Sequence, residues 1–135
     1  MIIKLFEDFE ARGVYNIKRR NRIDVEKNLS YKGAWNIKYS SKQGKGRALL
    51  FDNTSTINSI QSLNMSNKEM YLYGIETIPP NSGVGRLFLK DIFDYFDINS
   101  IYLPSIDNHP VWNKIATKVG VEGGFTIFKI ERGQI

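Results

Sequence analysis

The sequence predicts a single α/β domain, and two patterns carry this prediction. The first is a strand that runs into a glycine-containing turn and then into an amphipathic helix, over residues 71 to 97. The second is a further strand, helix and strand over residues 100 to 130, and a β-hairpin pattern precedes both. Strands that alternate with helices in this way are typical of a sheet with helices packed on it.

Composition supports one domain spanning residues 1 to 135, because 41% of the residues are hydrophobic and 13% are aromatic. The absence of cysteine excludes disulfides, thiolate catalysis and cysteine-based zinc sites, and a single histidine excludes a multi-histidine metal site. Residues 1 to 6 are followed at once by Glu7, Asp8 and Glu10, which a signal peptide would not contain. No apolar run reaches the roughly 18 residues of a spanning helix. We therefore expect a soluble, cytoplasmic protein.

The net charge of +5 and the isoelectric point near 9.4 favour contact with anions, including CoA phosphates, nucleic acid and acidic proteins. The densest basic cluster consists of Lys18, Arg19, Arg20 and Arg22. Such a cluster can bind phosphates, or it can be a solvated helix end or loop. Both interpretations remain open from the sequence.

The first third of the chain is weakly patterned. Residues 1 to 6 predict a strand, residues 7 to 12 a short helix or turn, and residues 14 to 17 a strand, with a helix as the alternative. The spacing of Ile23, Val25 and Leu29, with Asp24 as a possible cap, predicts a further short helix.

The middle of the chain predicts a β-hairpin, with strands at residues 34 to 39 and 47 to 51 around a polar turn at residues 40 to 46. The sequence Gly44, Lys45, Gly46 could also be an anion-binding turn, but polar residues from Asp52 onward leave no room for two helical turns after it. We therefore favour the hairpin. Residues 53 to 67 predict a short helix flanked by loops, which could cover a cleft or be a surface connection.

The second half has clearer boundaries. Residues 71 to 78 predict a strand, and residues 84 to 97 predict a helix whose polar face carries Lys90, Asp91, Asp94 and Asp97. Residues 100 to 105 predict a buried strand, in which Pro104 is tolerated near the end or at an edge. A helix is predicted from Pro110, with an apolar stripe of Val111, Trp112, Ile115, Ala116 and Val119 and an end at Lys118 and Gly120. After Gly123 and Gly124, residues 125 to 130 predict the last strand.

The turn between the strand and the first of these helices is the functional lead. Gly83, Val84, Gly85 and Arg86 lie where the hydrophobic period changes from two to about 3.6. A glycine turn at that place presents backbone N–H groups at the positive end of a helix, which suits a phosphate or a pyrophosphate. A G-x-G sequence alone also occurs in ordinary turns. Its position between a predicted strand and a predicted helix favours the anion-binding interpretation here.

This order of elements resembles the GCN5-related N-acetyltransferase (GNAT) family over residues 69 to 131. The family motif Q/R-x-x-G-x-G/A corresponds to residues 80 to 85, Pro80, Asn81, Ser82, Gly83, Val84 and Gly85, followed by Arg86 and Leu87. The resemblance implies a mixed, mostly antiparallel sheet flanked by helices and splayed where CoA enters. It also implies acetyl-CoA as co-substrate and transfer of its acetyl group to an amine.

The resemblance also implies roles for individual residues. The cofactor-binding residues would be Ile78, Asn81, Ser82, Gly83, Val84, Gly85 and Arg86. Glu76 would act as the general base, and a backbone N–H between residues 76 and 78 would stabilise the oxyanion. The candidates for the acid that protonates the thiolate are Tyr102, Tyr73 and His109. Asn108 matches an asparagine that contacts pantetheine in many relatives.

Two positions depart from the family pattern. Pro80 replaces the leading Gln or Arg. The end of the family's last helix is matched by Lys118, Val119 and Gly120, and the usual tyrosine acid then falls at Ala116. These departures and the basic charge leave a second hypothesis, a non-catalytic GNAT-like module that binds nucleic acid or a partner protein. Association through exposed aromatic residues is a third possibility.

Overall fold

The computed structural model describes residues 18–20, 22–80, 83–105, 115–122 and 124–135. The elements predicted in residues 1 to 17 and most of the helix predicted from Pro110 lie outside the described residues. The elements are β1 (Lys18–Arg20), β2 (Ile23–Lys27), β3 (Ala34–Ser41), β4 (Gly44–Phe51), α1 (Asn58–Gln61), β5 (Glu69–Ile78), α2 (Val84–Phe96), β6 (Ser100–Ser105), β7 (Thr117–Glu122) and β8 (Phe125–Glu131). A 3₁₀ turn follows at Arg132–Gln134.

The strands form one mixed sheet in the order β1-β2-β3-β4-β5-β6-β8-β7. The first five strands make an antiparallel meander, in which each strand pairs with the next along the chain. The only parallel neighbours among the described strands are β5 and β6, which α2 connects. Strand β8 returns between β6 and β7 and is antiparallel to both. The fold is therefore α/β, as the order of strands and helices in the sequence predicts, with the mostly antiparallel sheet that the family resemblance implies.

The sheet opens between β5 and β6. These strands pair only from Glu69 with Ser100 to Tyr71 with Tyr102, although β5 continues to Ile78. A β-bulge lies at this point, because Leu49 and Leu50 of β4 face Gly74 and Leu72, which leaves Tyr73 as the extra residue. A bulge bends its strand and increases the local twist. The bend coincides with the place where β5 separates from β6.

Helix α2 covers one face of the sheet. Its buried side chains Phe88, Leu89, Ile92 and Phe93 pack in one cluster with sheet residues such as Ile37 and Leu50. Phe88 stacks on Tyr39 with ring centroids 5.1 Å apart. Gly46 allows this contact, because a Cβ built there would lie 2.7 Å from Cδ2 of Phe88. The opposite face has a smaller cluster of Ala34, Leu49, Phe51, Ile60 and Tyr71, in which Ile60 belongs to α1.

The hairpin prediction is confirmed, with strands at Ala34–Ser41 and Gly44–Phe51 and a tight turn at residues 42 and 43. Gly44 and Gly46 therefore lie in β4 and not in an anion-binding turn. The predictions of a strand before residue 78, a helix from Val84 and a short helix in residues 53 to 67 are also confirmed. Pro104 lies next to the end of β6, two residues beyond its pairing with β5.

The predicted helix at residues 23 to 29 is wrong, because Ile23–Lys27 is strand β2. Ile23 and Val25 are two residues apart and both reach the core, whereas Leu29 is 82% exposed. Alternate β-branched residues on one face suit a strand. The helix was predicted because Leu29 lies four residues after Val25, but the Leu29 side chain does not pack in the core.

The predicted helix end at Lys118 and Gly120 is also wrong. Ile115 is helical, but β7 begins at Thr117 and pairs with β8. Gly120 lies at an irregularity in this ladder, and Val119, placed in the apolar stripe, is exposed. The alternation of the β-branched residues Thr117, Val119 and Val121 fits a strand. Their partner strand, β8, cannot be recognised from this short segment alone.

Replacing Gly46 by alanine should lower the free energy of unfolding by about 1 to 3 kcal/mol, because the new methyl group overpacks the contact between β4 and the buried ring of Phe88. Denaturant unfolding measures the change. Gly120→Ala is the matched control, since its Cβ meets nothing within 4 Å, and it should change stability by less than about 0.5 kcal/mol. Equal stabilities for the two variants would contradict the tight contact.

Candidate functional site

The candidate site begins where β5 separates from β6. Beyond Tyr71 no described strand pairs with β5 on the side of β6. Along a strand, successive backbone groups point alternately to the two neighbouring strands. Every second N–H group between Leu72 and Ile78 therefore faces the opening and not β4. This edge leads through Pro79 and Pro80 to the start of α2.

The N-terminus of α2 carries no competing negative charge. Its N-cap is Gly83, which has a left-handed backbone (φ 86°) and no side chain to cap the helix. No acidic residue lies in the first turn, and Arg86 there is exposed. Among the described residues, no atom would lie within 4 Å of a Cβ built on Gly83. The first N–H groups of a helix have no partners within it and form its positive end.

The structure brings the described part of the predicted cofactor set together. Ile78 ends β5 and is exposed, and Gly83, Val84, Gly85 and Arg86 follow within one turn of α2. Val84 is fully buried, so only its backbone is available to a ligand. Asn81 and Ser82 lie outside the described residues.

Glu76 lies on β5 directly opposite Arg47 of β4. The Arg47 Nε atom is 3.4 Å from Oε1 of Glu76, and the two side chains are 22% and 31% exposed. Glu76 is two residues from Ile78 and points to the face of the sheet away from α2, because Ile75 beside it packs against the α2 cluster. The predicted base is therefore a half-buried, paired carboxylate next to the open edge of β5.

Glu76 belongs to a row of charges that the sequence analysis did not predict. The strand registers pair Asp24 with Lys38, Lys38 with Arg47, and Arg47 with Glu76. The row borders a pocket of about 300 Å³, to which Ser40, Lys45 and Ile78 also contribute. The common face of Lys38 and Arg47 can be predicted from the sequence, because both residues alternate with core residues within the hairpin. The positions of Asp24 and Glu76 beside them cannot, because they depend on how β2 and β5 pair with the hairpin.

Tyr102 lies at the closed end of the parallel pair, opposite Tyr71. Its hydroxyl group is 3.3 Å from Oε2 of Glu69, and Nζ of Lys129 lies 3.1 Å from the same oxygen and 5.2 Å from the Tyr102 ring centre. Glu76 is five residues beyond Tyr71, about 15 Å along the strand. The structure therefore does not bring Tyr102 and Glu76 together.

Of the other candidate acids, Tyr73 lies closer to the opening. It is the extra residue of the bulge, it is exposed, and its ring makes an edge contact with Phe51 at 6.1 Å. Asn108 and His109 lie outside the described residues. Because β7 begins at Thr117, the alignment that put Ala116 at the position of the family tyrosine is wrong.

One member of the predicted basic cluster, Arg22, forms an ion pair within the protein. Nε and Nη2 of Arg22 donate to the two carboxylate oxygens of Asp91 at 2.9 and 2.8 Å. This pairing raises the pKa of the Arg22 guanidinium. Asp91 is only 5% exposed, so its placement on the solvated face of the helix was wrong. Lys18, Arg19 and Arg20 lie on β1, and a nucleic-acid or protein partner for them stays a prediction.

Within the described residues no group of three His, Asp or Glu side chains could hold a metal ion. Nor is any helix there long and apolar enough to cross a membrane. The chain matches no protein-family model, no curated protein and no solved structure.

Glu69→Gln should reduce stability at pH 7 and have less effect as the pH falls. Burial alone raises the pKa of the Glu69 carboxyl group, but hydrogen bonds from the Ser66 amide and from Lys129 outweigh it and lower that pKa. A carboxylate with a lowered pKa stabilises the fold above its unfolded value of about 4.3, and this contribution is lost as the pH falls through the folded value. Urea unfolding between pH 7 and pH 3 tests this, and a pH-independent difference between the proteins would contradict it.

Proposed function

We propose that the protein is an N-acyltransferase that moves an acetyl group from acetyl-CoA to an amine. One observation carries the proposal: β5 separates from β6 after three residue pairs, and six residues after the end of β5 the helix α2 begins without a side-chain cap. The start of α2 also lies beside the end of β5, because a Cβ built on Gly85 would be 3.8 Å from Thr77. A CoA thioester has an amide-containing arm that can pair with a strand edge and a pyrophosphate that suits a helix N-terminus.

The pyrophosphate would lie against the start of α2. The N–H groups of Gly83, Val84 and Gly85 supply the donors there, and the helix dipole adds a partial positive charge. Arg86 is exposed in the first turn and can add a full charge. The absence of an acidic side chain in that turn supports the assignment, because an anion there meets no repulsion.

The thioester would lie along β5. An N–H group between Glu76 and Ile78 that faces the opening can donate to the carbonyl oxygen as negative charge develops on it. This placement puts the reacting carbon beside Glu76, which lies on the same strand as the donor. Binding and chemistry would then share one rigid element, which holds the reacting atoms in a fixed orientation.

The reaction requires three transfers that balance. Glu76 accepts a proton from the ammonium form of the acceptor, directly or through a water, so that the nitrogen lone pair can attack the carbonyl carbon. The C–N bond forms, the C–S bond breaks, and the electron pair of that bond leaves with the CoA thiolate. The second proton that the nitrogen loses passes, through solvent or an acid, to the thiolate. Tyr73, the extra residue of the bulge, is the candidate acid for this step, because the hydroxyl group of Tyr102 already donates to Glu69.

The variant Gly85→Asp should weaken acetyl-CoA binding without lowering the stability of the fold. Gly85 is the second residue of α2, where a built Cβ lies 3.8 Å from Thr77, an ordinary contact. An aspartate there suits the helix dipole and removes a flexible glycine, so thermal stability should be unchanged or slightly higher. Its charge should repel a pyrophosphate and weaken acetyl-CoA binding at least tenfold in calorimetry at fixed ionic strength.

Gly85→Asn is the matched control, because it adds nearly the same volume without the charge and should bind acetyl-CoA more tightly than Gly85→Asp. Lys90→Gln, an exposed change further along α2, should have no effect. The proposal fails if the unaltered protein does not bind acetyl-CoA. It also fails if Gly85→Asp binds acetyl-CoA as well as Gly85→Asn does.

A further inference from the structure

We infer that the pocket beside Glu76 receives the acceptor and selects a small amine that also carries an anionic group. This inference rests on the proposed function, because it assigns the second substrate of the same site. The pocket is lined by charges of both signs, from Asp24, Lys38, Lys45, Arg47 and Glu76, and its volume is about 300 Å³.

The backbone registers explain why these charges meet. Ile23 and Val25 of β2, Ile37 and Tyr39 of β3, and Ala48 and Leu50 of β4 all belong to the core beneath α2. Side chains alternate between the faces of a strand, so Asp24, Lys38 and Arg47 point to the opposite face. Lys45 precedes Arg47 by two residues and shares its face. Neighbouring strands are about 4.8 Å apart, so a small ligand can span several of these side chains.

The order of the charges suggests how a ligand would lie. The two carboxylates occupy the outer strands, with Asp24 on β2 and Glu76 on β5, and the three cations lie on the central strands β3 and β4. An ammonium group would be attracted to Glu76, and an anionic group to Lys38 and Lys45. Asp24, Lys38 and Arg47 also have contacts within the protein, so the ligand would join existing interactions. A simple cation would meet three like charges, which disfavours it.

The position of Glu76 links this pocket to the chemistry. Glu76 borders the pocket and lies on β5 next to the open edge proposed for the thioester. An amine held by Glu76 would thus meet the carboxylate that removes its proton. The volume of about 300 Å³ corresponds to roughly ten water molecules and to the small end of ligand pockets. The acceptor would therefore be metabolite-sized.

NMR titrations without CoA test the inference, with O-phosphoethanolamine, β-alanine and ethanolamine as probes. The first two carry an amine with a phosphate or a carboxylate, and ethanolamine carries the amine alone. We expect both zwitterions to shift the backbone amide signals of residues 38, 45 to 47 and 76, and to bind at least fivefold more tightly than ethanolamine. The difference between the two zwitterions identifies the preferred anionic group.

Lys45→Gln should reduce the affinity for the preferred zwitterion about fivefold and leave ethanolamine binding unchanged. Lys90→Gln is the control, because this exposed lysine lies on α2, which covers the other face of the sheet. The inference is overturned if no probe shifts these signals, if ethanolamine binds as tightly as the zwitterions, or if the two lysine variants behave alike. Unchanged melting temperatures confirm that both variants are folded.

A parallel titration with acetyl-CoA separates the two failures. If acetyl-CoA binds and the zwitterions do not, the acceptor class is wrong and the proposed function stands. If the zwitterions bind as expected and acetyl-CoA does not, the pocket is a ligand site but the transfer reaction is wrong.

Discussion

The separation of β5 from β6 is the constraint on which the rest of the structure depends. A parallel neighbour that paired along the whole of β5 would use the backbone donors from Leu72 to Ile78 in the sheet. The bulge at Tyr73 bends β5 at the point where the pairing ends. Beyond it, β5 keeps its hydrogen bonds to β4 as far as Ile78. In the described part of the chain, one edge of β5 thereby has no partner strand, although the strand itself continues.

Helix α2 must stay fixed for such an opening to have a defined shape. Phe88 fits against Gly46 of β4, and the buried carboxylate of Asp91 accepts two hydrogen bonds from Arg22, which directly precedes β2. At the other end of α2, Arg132 donates to Asp94 and Asp97, and Lys68 pairs with Asp97. The last three contacts are exposed and individually weak. The positive end of α2 is thus positioned mainly by its core face and by the Arg22 pair.

The sequence predicted those elements whose partners are near in the chain. The hairpin and α2 show their periodicity within a single window, and the glycine turn lies where the period changes. The prediction failed for β2, where Ile23 and Val25 have the spacing of a strand and the choice of a helix depended on the exposed Leu29. It failed for β7 because Val119 fits both the apolar stripe of a helix and the alternation of a strand, and the partner strand β8 comes later in the chain. Asp91 looked solvated because Arg22, which covers it, is 69 residues away.

In the candidate site, too, only the residues that are close together in the chain could be grouped from the sequence. Glu76 and residues 83 to 86 follow one another along the chain, so a linear motif could group them. Asp24, Lys38 and Arg47 come from three strands, and their row exists only once the register of each pair is fixed. Tyr102 is near the site in sequence order alone, because the parallel pairing places it at the closed end of β5.

The contact between Gly46 and Phe88 has a consequence for how the protein can vary. Because the ring fills the space where a side chain at position 46 would begin, a larger residue at 46 is accommodated only if position 88 becomes smaller. Residues in such direct contact have non-additive effects on stability. In divergent descendants of this chain the two positions should therefore covary, and a methyl-bearing residue on β4 should accompany an aliphatic one on the helix.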